Sequence, residues 1–338
     1  MTDRSSLIAE YVAANGWNTS QLRPLAMDAS FRNYYRLSDG HRRMVLMDAP
    51  PSHEDVGAFV RIARHLRSLG LSAPAIHAAD VDAGLVLLED FGDETFTRRL
   101  AAGADEYALY ALAVDVLAYI HRLPADRAIP PGLPPYDSGR LLEEALILVD
   151  WHLPAVLSGR LPPAVRESYV AAWEAVLPLV LAQPPTLVLR DFHVDNLMLL
   201  DGRKGLAACG LLDFQDAVVG PAPYDLMSLL EDARRDVAAP LRRQMLARYR
   251  DALPLDEPKA FATVYTILAA QRHAKVIGIF SRLSCRDKKH GYLVHIPRVW
   301  RLLESALTHP ALTPVARWFA RHVPQAYRVA PAPEAMTP

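Results

Sequence analysis

Cysteine is almost absent: Cys209 and Cys285 are the only two in 338 residues, and they lie far apart. Such a pair supplies neither a disulfide framework nor a metal-type spacing, and reads as two neutral thiols of a reducing compartment. Excess charge is missing too, since 37 Lys and Arg balance 38 Asp and Glu for a formal net charge of −1. That excludes a nucleic-acid binder whose affinity rests on bulk positive charge. Long apolar runs are equally scarce. The best candidate, YVAAWEAVLPLVLA (169–182), is interrupted by Glu174 and Pro178 and falls short of the roughly 18–20 apolar residues that a membrane span needs. The opening MTDRSSLIAEYVAANGW has no basic segment followed by an apolar stretch and cleavage site, so it does not read as a secretory signal. The expectation is a cytoplasmic protein with no membrane or nucleic-acid partner; its oligomeric state stays open.

What is present is a long chain, 51% hydrophobic, with enough residues for one large or two ordinary domains. LIAEYVAAN (7–15) has helical spacing, with Ser5 or Ser6 as N-cap and Gly16 as the stop. FRNYYRL and HRRMVLMDAP flank the turn signal Ser38-Asp39-Gly40 and predict a hairpin closed by Pro50-Pro51. FVRIARHLRSLG predicts an amphipathic helix ending at Gly70, and IHAADVDAGLVLLEDFG predicts strand, turn and strand. From about residue 94 the pattern changes to helices such as EYALYALAVDVLAYIHRL and RESYVAAWEAVLPLVLA. The proline-rich 124–137 reads as a loop, and helices continue to about residue 310. The predicted organisation is α+β: a small β-rich lobe over 1–92, a larger helical lobe over 93–325, and a frayed tail over 326–338.

The chemistry is concentrated in LVLRDFHVDNLMLL (187–200), where Asp191, His193, Asp195 and Asn196 sit inside an apolar run. Buried charge costs several kcal/mol unless it is paired or binds a metal, so these carboxylates have a use. Asn196 follows Asp191 by five positions, and Asp213, in LLDFQDA, follows Asn196 by seventeen. An Asp, an Asn five later and a second Asp closing a nearby strand is an arrangement that kinases use. The first Asp takes the acceptor hydroxyl's proton; the Asn and the second Asp hold Mg²⁺ against nucleotide phosphates. Mg²⁺ is a hard ion that takes one or two protein carboxylates and leaves its other positions to phosphate and water. A neutral Asn beside one Asp suits it. His193 and Asp195 read first as loop residues that set geometry.

With these motifs quoted, the chain resembles the aminoglycoside phosphotransferase-like kinases over nearly its whole length. The likeness lies in the catalytic loop LRDFHVDN, the metal aspartate of LLDFQD, and Asp225 of GPAPYDLMSLL, matching a structural aspartate. DASFRNYYR (28–36), MDAPP (47–51), LLDFQDAVVGPAPYD (211–225) and QRHAKVIGIFSRL (271–283) further resemble one subgroup, the bacterial kinases that phosphorylate N-acetylmuramate and N-acetylglucosamine at C1 in cell-wall recycling. The resemblance implies a two-lobed protein-kinase-like fold using ATP and Mg²⁺. It also implies Asp191 as catalytic base, Asn196 and Asp213 as metal ligands, and a nucleotide site at Ser30, Phe31, Arg32, Glu89, Asp90, Phe91, Met198 and Leu212. The backbone around residues 89–91 would meet the base, with Met198 and Leu212 on its face.

Three positions depart from the general kinase pattern. The loop's usual His is replaced, DASFR carries no glycine run, and Met47 stands where a strand lysine normally grips the phosphates. Arg32 and Arg36 are the candidate substitutes, and Glu54 reads as a surface acid. On the acceptor side, Lys and Arg occur at 272, 275, 282, 286, 288, 289, 298 and 301 against the single acid Asp287. Arg272 and Lys275 share a helix face. Together with Asp191, His193 and His273 they form the expected acceptor site, which suits an anionic or neutral amino sugar better than a polycation. Another small-molecule kinase of this fold, or a nucleotide-binding pseudokinase, is the alternative.

Overall fold

The protein is described here from a computed structural model covering residues 3–25, 32–157, 159–253 and 258–332. Ser30 and Phe31 lie outside the described residues. The chain forms two compact units, Met1–Val116 with Val194–Ala217, and Leu117–His193 with Val218–Pro338. The first unit therefore runs past residue 92 and takes back a segment that includes Asn196 and Asp213.

The first unit is built on an antiparallel sheet of β1 (Leu22–Pro24), β2 (Asn33–Ser38), β3 (Arg43–Asp48), β4 (Ile76–Asp80) and β5 (Leu85–Glu89), in the order β1-β2-β3-β5-β4. The β2–β3 hairpin is where the Asp-Gly signal placed it. The Asp39 carboxylate accepts the N–H groups of His41 (3.0 Å) and Arg42 (2.7 Å), and Gly40 takes φ +88°, a conformation that side chains rarely adopt. The first helix begins earlier than its apolar spacing suggested: it spans Arg4–Ala14 with Asp3 as N-cap, although Gly16 does end it with φ +76°. Helix Val56–Ser68 is capped by Asp55, which accepts from Ala58 N–H (3.1 Å). It buries Phe59, Val60, Ile62, Ala63 and Leu66, leaving Arg64 and Arg67 outward. Val12, Trp17, Leu37, Leu46, Leu85 and Leu87 close one core beneath the sheet. The returning segment adds the two-stranded ladder of β7 (Leu197–Leu199) and β8 (Cys209–Leu211).

The second unit pairs β6 (Pro185–Val188) with β9 (Val218–Pro221) and is otherwise helical. The stretch 166–182 is not one helix, because Pro178 cannot continue one; it divides into Pro163–Glu174 and Leu177–Leu181. At the centre lies the 30-residue helix Pro258–Asp287, about 45 Å long at 1.5 Å per residue. It is buried nearly all round from Phe261 to Ser284, polar Gln271, Arg272, His273 and Lys275 included. Gly278 allows that burial, since a Cβ there would lie 2.4 Å from the carbonyl carbon of Ile147. Beside this contact, helix Ser138–Ile147 passes into a π-helical turn over Leu148–His152. A further helix, Thr313–His322, extends the helical region beyond residue 310. Among the described residues, no helix is long and apolar enough to cross a membrane.

Candidate active site

A cavity of about 370 Å³ opens in the first unit, within the size range of small-molecule sites. Its apolar part comes from Val45, Phe59, Leu88, Phe91, Met198 and Leu212, and its polar end from Arg32, Arg36, Asn196 and Asp213. Met198 and Phe91 are packed tightly around Gly210, where a Cβ would come within 2.9 Å of the Phe91 ring and 3.0 Å of Met198 Cβ. Glu89 N–H already donates to Ala75 O (2.9 Å), and Gly92 N–H to Asp90 Oδ1 (2.9 Å). The Glu89 carboxylate is taken by Arg203, and the Asp90 carboxylate lies 2.8 Å from Arg36 Nε.

At the polar end, Leu212 N–H donates to Asn196 O (3.0 Å) and Asn196 Nδ2 donates to Asp213 Oδ2 (3.3 Å), so β7 and β8 hold the two side chains together. Asp213 sits at φ +57°, a left-handed conformation rare for a non-glycine residue. Its Oδ1 accepts from Arg32 Nη2 (2.9 Å) and Gln215 Nε2 (2.9 Å). Arg32 Nε lies 3.7 Å from Glu54, so Glu54 is an ion-pair partner and not a plain surface acid. Burial works against the Arg32 charge, but Tyr34, Asp213 and Glu54 raise its pKa above the ordinary arginine value. Met47 is 1% exposed, two residues beyond cavity-lining Val45 on β3, and pairs with Tyr34 and Val86. One charged and one neutral oxygen donor at Asp213 and Asn196 fit a hard cation that completes its shell with phosphate and water. No group of three or more His, Cys, Asp or Glu able to hold a metal ion occurs among the described residues.

The second unit presents Asp191 on a pinned turn. Buried Asp225 accepts the N–H groups of Leu189 (2.6 Å) and Arg190 (2.9 Å), and Arg190 is held at φ +69°. Burial pushes the Asp225 carboxyl up to about 7, against the opposing pull of those two N–H donors. The Asp191 side chain is 37% exposed, with Arg272 Nη2 3.6 Å from its Oδ1. Burial alone would raise its pKa, but Arg272, Lys275, His193 and Arg190 outweigh that and lower it to about 2. Arg272 also donates to Arg190 O (3.1 Å) and Tyr224 OH (3.0 Å). Beneath this layer Glu144 gathers Arg190, the Tyr136 hydroxyl, Lys275 Nζ (2.9 Å) and Gln271 Nε2 (3.3 Å).

A family model described as "Phosphotransferase enzyme family" matches residues 21–262. The chain belongs to that family. It is 35% identical to the N-acetylmuramate/N-acetylglucosamine kinase of Caulobacter vibrioides, over 96% of this chain and 98% of that protein. To the protein of the same name from Pseudomonas aeruginosa it is 36% identical, over 89% of each. Among solved structures it resembles the streptomycin–ATP–APH(2")-IIa ternary complex, with a TM-score of 0.59 and 17% identity over 92% of this chain and 98% of that one. The aminoglycoside phosphotransferase fold that the sequence suggested is therefore present, with its five-stranded sheet followed by a largely helical region.

The phosphotransferase places the sequence-derived site residues in two groups. Arg32, Glu89, Asp90, Phe91, Asn196, Met198, Leu212 and Asp213 line one cavity of the first unit. Asp191, His193, Arg272, Lys275 and Asp225 cluster in the second. His273 stands apart from them: it is 1% exposed and its Nε2 lies 2.9 Å from Glu231 Oε2, so it is committed to an internal pair. Asp195 accepts the Thr97 hydroxyl. Sequence reasoning missed Glu144, Tyr136, Gln215 and the Arg32–Glu54 pair. Glu144 did carry a signal, because it stands between Leu141 and Ala145 on the buried stripe of its helix, where an acid needs a partner.

Proposed function

We propose that this phosphotransferase transfers the γ-phosphoryl group of ATP to the anomeric hydroxyl of N-acetylmuramate and N-acetylglucosamine. Relatives bearing that name match the chain over most of its length, and a structural neighbour was solved with ATP. The observation that carries the chemistry is Asp191, a partly exposed carboxylate beside Arg272 on a turn fixed by Asp225. With its pKa lowered to about 2, Asp191 is ionised at neutral pH and can accept a hydrogen bond from the acceptor hydroxyl, taking its proton only late in the transfer.

In the proposed reaction, Asp191 orients the C1 hydroxyl and takes its proton as the C1 oxygen bonds to the γ-phosphorus. The bond from that phosphorus to the β,γ-bridging oxygen breaks, and ADP leaves with the electron pair. The transition state is loose, so positioning and charge stabilisation supply most of the rate. Asn196 and Asp213 would hold Mg²⁺, which neutralises phosphate charge when bound. Arg32, kept in place by Glu54 and Asp213, supplies the positive charge that Met47 cannot. The apolar walls of the first unit's cavity take the base, and Phe91, Met198 and Leu212 pack on it. Release of ADP from Mg·ATP, measured against N-acetylmuramate, N-acetylglucosamine, choline and kanamycin, tests the reading. Turnover is expected with the two amino sugars; turnover only with choline or kanamycin would overturn it.

A further inference from the structure

Residues 89–92, which follow β5, line two cavities of the first unit at once. The inner one is the cavity described above; the outer, of about 490 Å³, is bounded also by Arg43, Leu199 and Arg203. A wall with space on two sides gets less of the close packing that fixes side chains in a core. Its shape has to come from directional bonds instead.

We propose that Arg203 is a positioning residue for the base of ATP, bracing Phe91 and Glu89 from the outer cavity. The proposal rests on the reading above in one respect, that the inner cavity takes the base. Arg203 comes from the turn between β7 and β8, where its backbone N–H donates to Leu200 O (2.9 Å). Among the described residues it lines the outer cavity and not the inner one, so it acts through its neighbours. Its Nη2 donates to the Glu89 carboxylate and its Nη1 to Ser72 Oγ (2.7 Å), while its guanidinium carbon stands over the Phe91 ring, 5.2 Å from the ring centre. A planar guanidinium makes such contacts together, since its edge donates in fixed directions and its face covers an aromatic ring. An ammonium does not.

Each contact is anchored in turn. Ser72 is 2% exposed; its hydroxyl donates to Ala207 O (2.7 Å), and its carbonyl accepts Leu211 N–H (2.7 Å). The Glu89 carboxylate also accepts Ala75 N–H (3.2 Å) and lies 3.5 Å from Arg67 Nη1. Phe91 is pressed against Gly210, where no Cβ would fit. Arg203 thus ties two stretches that wall the inner cavity: residues 72–75, with Pro74, and residues 89–92, with Phe91. Stacking of a base on an aromatic ring depends on where that ring is held.

The test measures calorimetric Kd for Mg·ADP and for inorganic tripolyphosphate with Mg²⁺, in wild type, Arg203→Met and Arg203→Lys. Tripolyphosphate reads the phosphate end alone, and Mg·ADP reads the base as well. In Arg203→Met the Kd for Mg·ADP should rise roughly 5- to 20-fold, below the loss expected of a direct charged contact, while that for tripolyphosphate stays at the wild-type value. Arg203→Lys, which keeps the charge but not the planar face, should fall between, and it serves in place of Arg203→Met if the latter does not fold. An unchanged Kd for Mg·ADP, or an equal loss for both probes, overturns the assignment. Turnover of the two amino sugars by wild type is followed alongside: the split between probes without sugar phosphorylation upholds the brace and overturns the sugar-kinase reading alone.

Discussion

Arg32 Nη2 lies 2.9 Å from Asp213 Oδ1, which ties the cation at the end of one cavity wall to the aspartate proposed for the metal. Arg36, the other arginine lining the cavity, is bound to Asp90 at 2.8 Å and Asp93 at 3.0 Å instead. Of the two, Arg32, paired also with Glu54, is the one in contact with the proposed metal aspartate, and it is the one proposed to supply the charge that Met47 lacks. Arg32→Met should raise KM for ATP and lower kcat, together roughly 10- to 100-fold in kcat/KM for ATP, the scale of a lost charged hydrogen bond. Arg32→Lys should recover part of that. Steady-state rates with ATP varied check the expectation; unchanged kinetics in Arg32→Met would remove Arg32 from the nucleotide site.

Asp191→Asn should lower kcat by roughly 10²- to 10⁴-fold while calorimetric ATP affinity stays near that of wild type. Because its neighbours hold the Asp191 pKa down to about 2, this carboxylate stays ionised from pH 5 to pH 9. A pH–kcat profile over that range should show no inflection traceable to it. An Asp191→Asn variant with wild-type turnover would refute the base assignment.

His121 and His152 give stability a pH dependence. Burial lowers both to about 4, opposed by hydrogen bonds to backbone. His121 Nδ1 lies 2.6 Å from Tyr249 OH, and His152 Nδ1 lies 2.9 Å from Ser281 Oγ. The unfolded chain takes up protons below about pH 6.5, and the folded chain does so only near pH 4. Stability from these groups is therefore complete above about pH 6.5 and is lost as pH falls towards 4, at about 1.4 kcal/mol per group per pH unit within that window. Thermal melting should decline from pH 7 to pH 4.5, and His152→Gln should flatten the slope.

Gly278→Ala should be destabilising although alanine is the better helix former. The added Cβ would meet the Ile147 carbonyl carbon at 2.4 Å, and backbone on both sides leaves no flexible side chain to yield. Overpacking of this kind costs about 1–3 kcal/mol. Chemical denaturation would register it as a lower midpoint at unchanged slope.

Much of this arrangement is written in local signals. Asp39-Gly40 marks its hairpin because a turn needs φ > 0 there, and the spacing from Asp191 to Asn196 and Asp213 suggests phosphoryl-transfer chemistry because it can be read along the chain. The partners are another matter. Glu54 looks like a surface acid until folding brings Arg32 beside it, and Glu144 meets Lys275 and Gln271 from another helix. His273 looked like a ligand by its place next to Arg272, but one residue along a helix turns the side chain about 100°, and it pairs with Glu231. Long-range pairing decides these roles, and a single sequence carries no record of it.

Transfer to the anomeric hydroxyl is tested most directly by ³¹P and ¹H NMR of the protein with Mg·ATP and N-acetylmuramate, then N-acetylglucosamine. Phosphorylation at C1 gives a new phosphate doublet coupled to the sugar H1, with stoichiometric ADP. A phosphate on any other hydroxyl, or none while ATP remains bound, would contradict it.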